Sequence, residues 1–164
     1  WFQQFTGEAI VGDLLGQALV KLPSWMESWG AFQTRNPDGL VQSEPKSNRA
    51  YGRNPYAGYD TGQPFLYHGE QPPHGIDPLA RVVVVDGRAW PLARLRSEAV
   101  VNEHGLSIRW DAGTASALDH GNIAKGRDVG AIRVRDENGN DVVHDVAFAF
   151  AYHAFHPNGE WMLE

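Results

Sequence analysis

The chain has no cysteine among its 164 residues. Disulfides, Cys-x-x-Cys redox chemistry and thiolate metal sites are therefore excluded within it, although the compartment is not fixed by that absence. Positive charge is also in short supply: 14 Lys and Arg stand against 20 Asp and Glu, a formal net charge of −6. Neutralising phosphates needs clustered Lys and Arg, so no nucleic-acid partner is expected. No apolar run is long enough to cross a bilayer. No phosphate loop, dinucleotide fingerprint or calcium loop occurs, and no Gly-x-Ser-x-Gly elbow. The chain opens at Trp1, without an initiator Met, directly in strand-like sequence. The expectation is that further sequence precedes it, so localisation signals are not read from this segment.

What is present describes a turn-rich globular chain. Hydrophobic residues make up 42 %, enough for a sizeable core, and 18 glycines and 10 prolines supply turns. Most of the six tryptophans are expected in the core, because burying so large a ring is strongly stabilising.

Two short strand-like runs, 8–12 and 17–22, open the chain. Pro23 introduces one amphipathic helix. Ser24 and Glu27 have the spacing of a capping box, with Ser28 as a later alternative N-cap. Trp25, Trp29 and Phe32 fall at i, i+4 and i+7 on one face, which predicts a core-facing stripe. Pro37-Asp38-Gly39 ends the helix. From Arg81 the β signal dominates. Val82 to Val85, then Asp86-Gly87, then Arg88 to Leu92 predict a hairpin, with Pro91 at a strand end or edge. Ala99–Asn102 and Leu106–Trp110 predict a second hairpin. Val129–Arg135 and Asp141–Phe155 predict a third, around the turn 136–140. Arg94-Leu95-Arg96 and Arg133-Val134-Arg135 read as strand ends with solvated heads.

In the last run, Val146, Phe148, Phe150 and Tyr152 alternate with Ala147, Ala149 and Ala151. Alanine favours helix, but the period-two alternation of large and small side chains favours a strand. The fold expected is mainly β: antiparallel strands in a two-sheet or barrel-like arrangement with one short helix, forming a single domain over residues 1–164.

Three groups of residues carry candidate chemistry. The loop 51–60 holds three tyrosines, two glycines and a proline, a shaped loop of the kind that forms binding surfaces. Its candidate ligand contacts are Tyr51, Arg53, Asn54, Tyr56, Tyr59 and Asp60. His153 and His156 are candidate ligands for a transition metal, joined by Asp111 or Asp119. On a strand, residues three apart point to opposite faces, so shared ligation requires His156 to swing round at Pro157. Otherwise His153 sits on the small-residue face with a hydrogen-bonding role. Ser116, Asp119 and His120 have the residue types of a hydrolytic triad, though types alone do not make one. The plainer reading is a turn whose hydroxyls and carboxylates cap backbone groups. Gly126-Arg127-Asp128 either holds an ion pair or leads into a strand.

The order of these segments resembles a known family. It runs from Trp1–Gly12 through the loop 51–60 with Pro64-Phe65 and Ala89-Trp90-Pro91-Leu92. It ends with Gly113–Asp119 and Gly126–Gly130. This is similar to the bacterial and archaeal family called domain of unknown function 3179. The resemblance implies an exported, periplasmic or extracellular setting. It also implies a longer N-terminal part with a Cys-Pro-x-Cys-type segment inside a β unit like 81–119, so that this chain would be the C-terminal part of a longer domain. The family label assigns no activity. Three functional readings stand: a module binding a small molecule or a protein partner through the loop 51–60, a metal-linked enzyme or metal-handling protein, or a purely structural domain.

Overall fold

The computed structural model describes residues 1–43, 45–46, 54–62, 64 and 67–164. Its regular elements in chain order are α1 (Trp29–Arg35), β1 (Arg81–Val85), β2 (Arg88–Pro91), α2 (Leu92–Glu98), β3 (Val100–Glu103), β4 (Leu106–Asp111), β5 (Ala131–Asp136), β6 (Asp145–Phe148), α3 (Ala149–Phe155) and β7 (Glu160–Trp161). They form two sheets, a four-stranded one in the order β6-β1-β2-β7 and a three-stranded one in the order β3-β4-β5. All pairings are antiparallel except that of β2 with β7. The mainly β, two-sheet expectation holds, the sheets do not close into a barrel, and the described residues contain three short α-helices rather than one.

The run of four valines explains the centre of the fold. In a strand, alternate side chains face opposite layers, so four consecutive apolar residues need cover on both faces. Val83 and Val85 join Trp90, Leu95, Val101, Ile108, Ile132 and Val134, a core made by both sheets and α2. Val82 and Val84 join Ala89, Ala149 and Tyr152 on the opposite side, where α3 lies. Each such Val or Leu, fully buried, stabilises the fold by roughly 1.5–3 kcal/mol.

The first two hairpins form as expected. Asp86-Gly87 and His104-Gly105 both have positive φ at their two turn residues, 47° and 75° in the first and 53° and 73° in the second. That is the turn whose twist suits antiparallel strands. The third hairpin does not form as a pair. The segment after Asn140 pairs with the β5 backbone at one bridge, Asp141 with Arg135, then crosses to the other sheet as β6 on β1. There it gives β1 hydrogen-bonded neighbours on both sides.

Residues 149–155 correct the expectation of a long last strand. The strand stops at Phe148 and the alanine-rich sequence turns helical. Alanine's helix propensity wins because Ala149 and Tyr152, at i and i+3, then share a buried face against β1. The first-turn amides of the helix, which lack intrahelical partners, are satisfied by chain 78–80: Ala149 donates to Ala80 O at 2.8 Å and Phe150 to Pro78 O at 3.0 Å. Arg94 and Arg96 are likewise helical, not strand ends. Arg94 grips Glu103 with two hydrogen bonds of 2.9 and 3.1 Å.

The N-terminal 43 residues depart further from expectation. Residues 1–22 make only isolated bridges, Phe2 with Ala9 and Glu8 with Ala18. α1 is capped by Ser28, whose Oγ accepts from Ala31 N, while Glu27 pairs with Arg35 instead of closing a box with Ser24. The aromatic stripe is not core, because α1 buries no residue and Trp29 is half exposed. Trp25 precedes the helix and lies between the guanidinium groups of Arg35 and Arg133, 4.9 and 4.6 Å from its ring centre. Of the six tryptophans, only Trp90 is in the buried core.

Candidate functional site

The loop 54–62 is fastened onto the long connection between β4 and β5. Asn54 Nδ2 donates to Ala117 O (2.9 Å) and His120 O (3.0 Å), and its Oδ1 accepts from Tyr56 N. Gly58 N donates to Asp119 O at 2.7 Å. Gly58 sits at φ 80° and leads into a single 3-10 turn, Tyr59–Thr61. That turn delivers Asp60 into the interior, where its side chain is fully enclosed.

Asp60 organises three groups that are distant in sequence. Ser116 Oγ donates to Oδ2 at 2.6 Å, Arg81 donates to the same oxygen at 3.1 Å, and Arg127 lies 3.0 Å from Oδ1. Burial pushes this carboxyl up, but the hydrogen bonds from Ser116, Arg127 and Arg81 and the charge of Arg127 outweigh it and hold it below the usual range. Arg81 begins β1 on the same strand face as Val83 and Val85, so it projects toward the second sheet. Arg127 is brought close by Gly126, where any Cβ would lie 2.5 Å from Ser116 O. Ser116 N donates to Arg127 O at 2.8 Å.

Around this knot lies a solvent-open cleft of about 640 Å³. Its walls include Asp60, Arg81, Leu92, Arg96, Trp110 and Arg127. Three guanidinium groups thus meet in one cavity of ligand-binding size. Three carboxylates also line it. Asp60 holds the two arginines. Asp77 accepts from Leu79 N at 2.7 Å. Asp128 accepts the backbone amides of Gly113, Thr114 and Gly130 at 2.9–3.1 Å. Burial pushes the Asp128 carboxyl up, and these three bonds, with the charge of Arg96, prevail and hold it low. Arg96 lies 5.8 Å from the ring centre of Trp110, whose Nε1 donates to Val129 O. Arg81 Nε is buried without a hydrogen-bond partner among the described residues.

The sequence-based candidates are distributed as follows. Tyr51 and Arg53 lie outside the described residues. Asn54 is a loop anchor, Tyr56 is exposed, and Tyr59 packs 5.9 Å from Phe148. Of the four described candidates, Asp60 alone lines the cleft. The proposed metal ligands are not brought together. Asp111 pairs with Arg109, and Asp119 accepts from Arg127 N. His153 is in α3 with Nδ1 buried and unpartnered among the described residues, and Nε2 3.9 Å from Glu70. The helix removes the opposite-face argument, but His156 caps it and packs on Tyr152 instead. Among the described residues no three His, Asp or Glu side chains could hold an ion. The triad types also separate: Ser116 turns to Asp60, whereas His120 Nδ1 accepts from Asn122 N. Arg81, Arg96 and Arg127 were not singled out as site residues, because nothing local in the sequence signals their convergence.

The result is a two-sheet β domain with an arginine-lined cleft closed on one side by a fastened loop. The chain belongs to the family described as Protein of unknown function (DUF3179), whose model matches residues 1–159. No curated protein and no solved structure matches the chain significantly. No helix among the described residues is long and apolar enough to cross a membrane.

Proposed function

We propose that this domain is a binding module for a small molecule bearing an oxyanion group, seated in the cleft among Arg81, Arg96 and Arg127. One observation carries the reading: three guanidinium groups face one cavity, two of them held in place by the single enclosed carboxylate of Asp60, while its other carboxylates, Asp77 and Asp128, accept backbone amides. A guanidinium presents its donors in a planar fork that matches carboxylate, phosphate and sulfate. Asp60 fixes two of the three forks in advance, which lowers the ordering cost of binding. The loop 51–60 keeps its role in this reading, through Asp60 and the adjoining Thr61 and Gly62, which line the cleft. A catalytic role finds less support, since the hydroxyl of Ser116, the one of the triad types that is buried, is committed to Asp60. The proposal includes a periplasmic or extracellular setting, supported by the family resemblance and checked by cell fractionation.

Calorimetric titration with acetate, sulfate and phosphate at low ionic strength tests the reading. Saturable binding of at least one is expected. Arg96→Met, which leaves the Asp60 network untouched, weakens it by about tenfold or more, as losing a charge-assisted hydrogen bond predicts. No saturable binding of any of the three, or unchanged binding in Arg96→Met, sinks it.

A further inference from the structure

Beside the cleft lies a second cavity of about 90 Å³. The two share three walls, Arg81, Leu92 and Val129. The rest of the smaller cavity is largely apolar, with Met26, Ile132 and Val146 contributing side chains. Its two polar side chains besides Arg81 are Thr114 and the buried His144, whose Nδ1 lies 3.0 Å from Val142 O. A guanidinium therefore stands at the junction of a charged chamber and a greasy one. Arg81 Nε has no partner there among the described residues, and a buried donor left unpaired is unfavourable until an acceptor arrives.

Resting on the reading of the cleft as an oxyanion site, we infer that its ligand is a short-chain aliphatic carboxylate. The carboxylate lies against Arg81 in the cleft and the hydrocarbon tail enters the side chamber. The volume limits the tail. An apolar cavity of about 150 Å³ admits benzene, so this one holds roughly three or four carbons. Butyrate and isovalerate match that length. Longer chains run out of space, and acetate leaves the chamber unfilled.

The test is a calorimetric series of acetate, propionate, butyrate, isovalerate, hexanoate and octanoate. Affinity is expected to rise about fourfold per added carbon up to three or four tail carbons, as methylene burial predicts. It then stays level or falls. Val146→Phe, at a half-exposed position of β6, fills the chamber and is expected to flatten the series while leaving acetate binding intact. Met26→Phe, on the exposed N-terminal segment, does the same from another wall and serves if the first variant is unstable. Acetate that binds with no dependence on chain length overturns the tail assignment and leaves the anion site standing. So does a chain-length dependence that survives both plugs. No binding of any carboxylate, acetate included, overturns the carboxylate assignment, and sulfate or phosphate binding then decides whether the anion site stands.

Discussion

Replacing Asp60 by Asn removes one negative charge from the centre of the site and changes the shape of nothing else. The side chain is fully enclosed, and it faces a hydroxyl and two guanidinium groups. Asn keeps one acceptor oxygen but presents an NH₂ toward a guanidinium, which can only donate, so at least one contact becomes donor against donor. Removing one partner of a buried ion pair costs about 3–5 kcal/mol. Here the cations are not equally buried, with side-chain exposures of 18 % for Arg81 and 48 % for Arg127, so water relieves part of the loss. The expected destabilisation is about 2–3 kcal/mol, or a drop in Tm of about 4–12 °C for a chain of this size. Urea denaturation measures it, with an unchanged m-value.

The pH dependence follows with a definite sign. Because the folded state holds the Asp60 carboxyl low, the unfolded chain binds more protons in the acid range. The stabilisation is present above about pH 4, the ordinary carboxylate region, and is lost as pH falls through the depressed folded value. Asp60→Asn therefore loses less stability on acidification than the parent does. A cycle with Ser116→Ala gives a coupling of about 1 kcal/mol. A variant within about 0.5 kcal/mol of the parent, the range of an ordinary surface substitution, refutes the reasoning.

Two further substitutions probe the frame of the site. Gly130→Ala places a Cβ 2.1 Å from Trp110 Nε1 at a φ of 70°, so overpacking and backbone strain together cost about 2–4 kcal/mol. Near-ultraviolet circular dichroism reports the displaced indole alongside denaturation, and a spectrum and midpoint like the parent's contradict the packing. Tyr152→Phe removes a buried phenol that donates to Gly87 O at 2.6 Å and lies 3.0 Å from Glu160 O, at a cost of about 1–2 kcal/mol. Burial, with the Glu160 carboxylate adding to it, pushes this phenol up to about 12. Its contribution is present below about pH 10 and is lost as pH rises toward 12. The variant lacks the late step in the absorbance titration, and a titration unchanged by the substitution contradicts the burial.

The strands were legible where local signals agreed with the global fold. Val82 to Val85 with Asp86-Gly87 gave a hairpin from composition and turn chemistry alone, and Glu103-His104-Gly105 gave another. Elements went unseen where two local signals conflicted. In 146–152 the large/small alternation masked a strand of three residues in this run, 146–148, followed by a helix whose buried face needs only Ala149 and Tyr152. α2 hid in a stretch rich in strand signals, although Leu92 and Leu95 at i and i+3 and the Arg94–Glu98 pair at i and i+4 are helical spacings. α1 shows the reverse case, a correct helix whose aromatic face finds no core to join.

The site was harder to see. Asp60 was named with its loop, but its partners lie 21, 56 and 67 residues away, at Arg81, Ser116 and Arg127. Contacts at such separations leave no period or motif in the chain. Arg127 was visible only as a charge beside Asp128, and the structure pairs it with Asp60 instead.

The central claim is that an oxyanion binds among Arg81, Arg96 and Arg127. Crystals of the protein grown with selenate, a sulfate analogue located by its anomalous scattering, test it most directly. The account predicts a selenium peak inside the cleft, with oxygens within hydrogen-bond distance of these guanidinium groups, and its loss in Arg96→Met. A cleft without a peak, or peaks confined to other surface arginines, would contradict it.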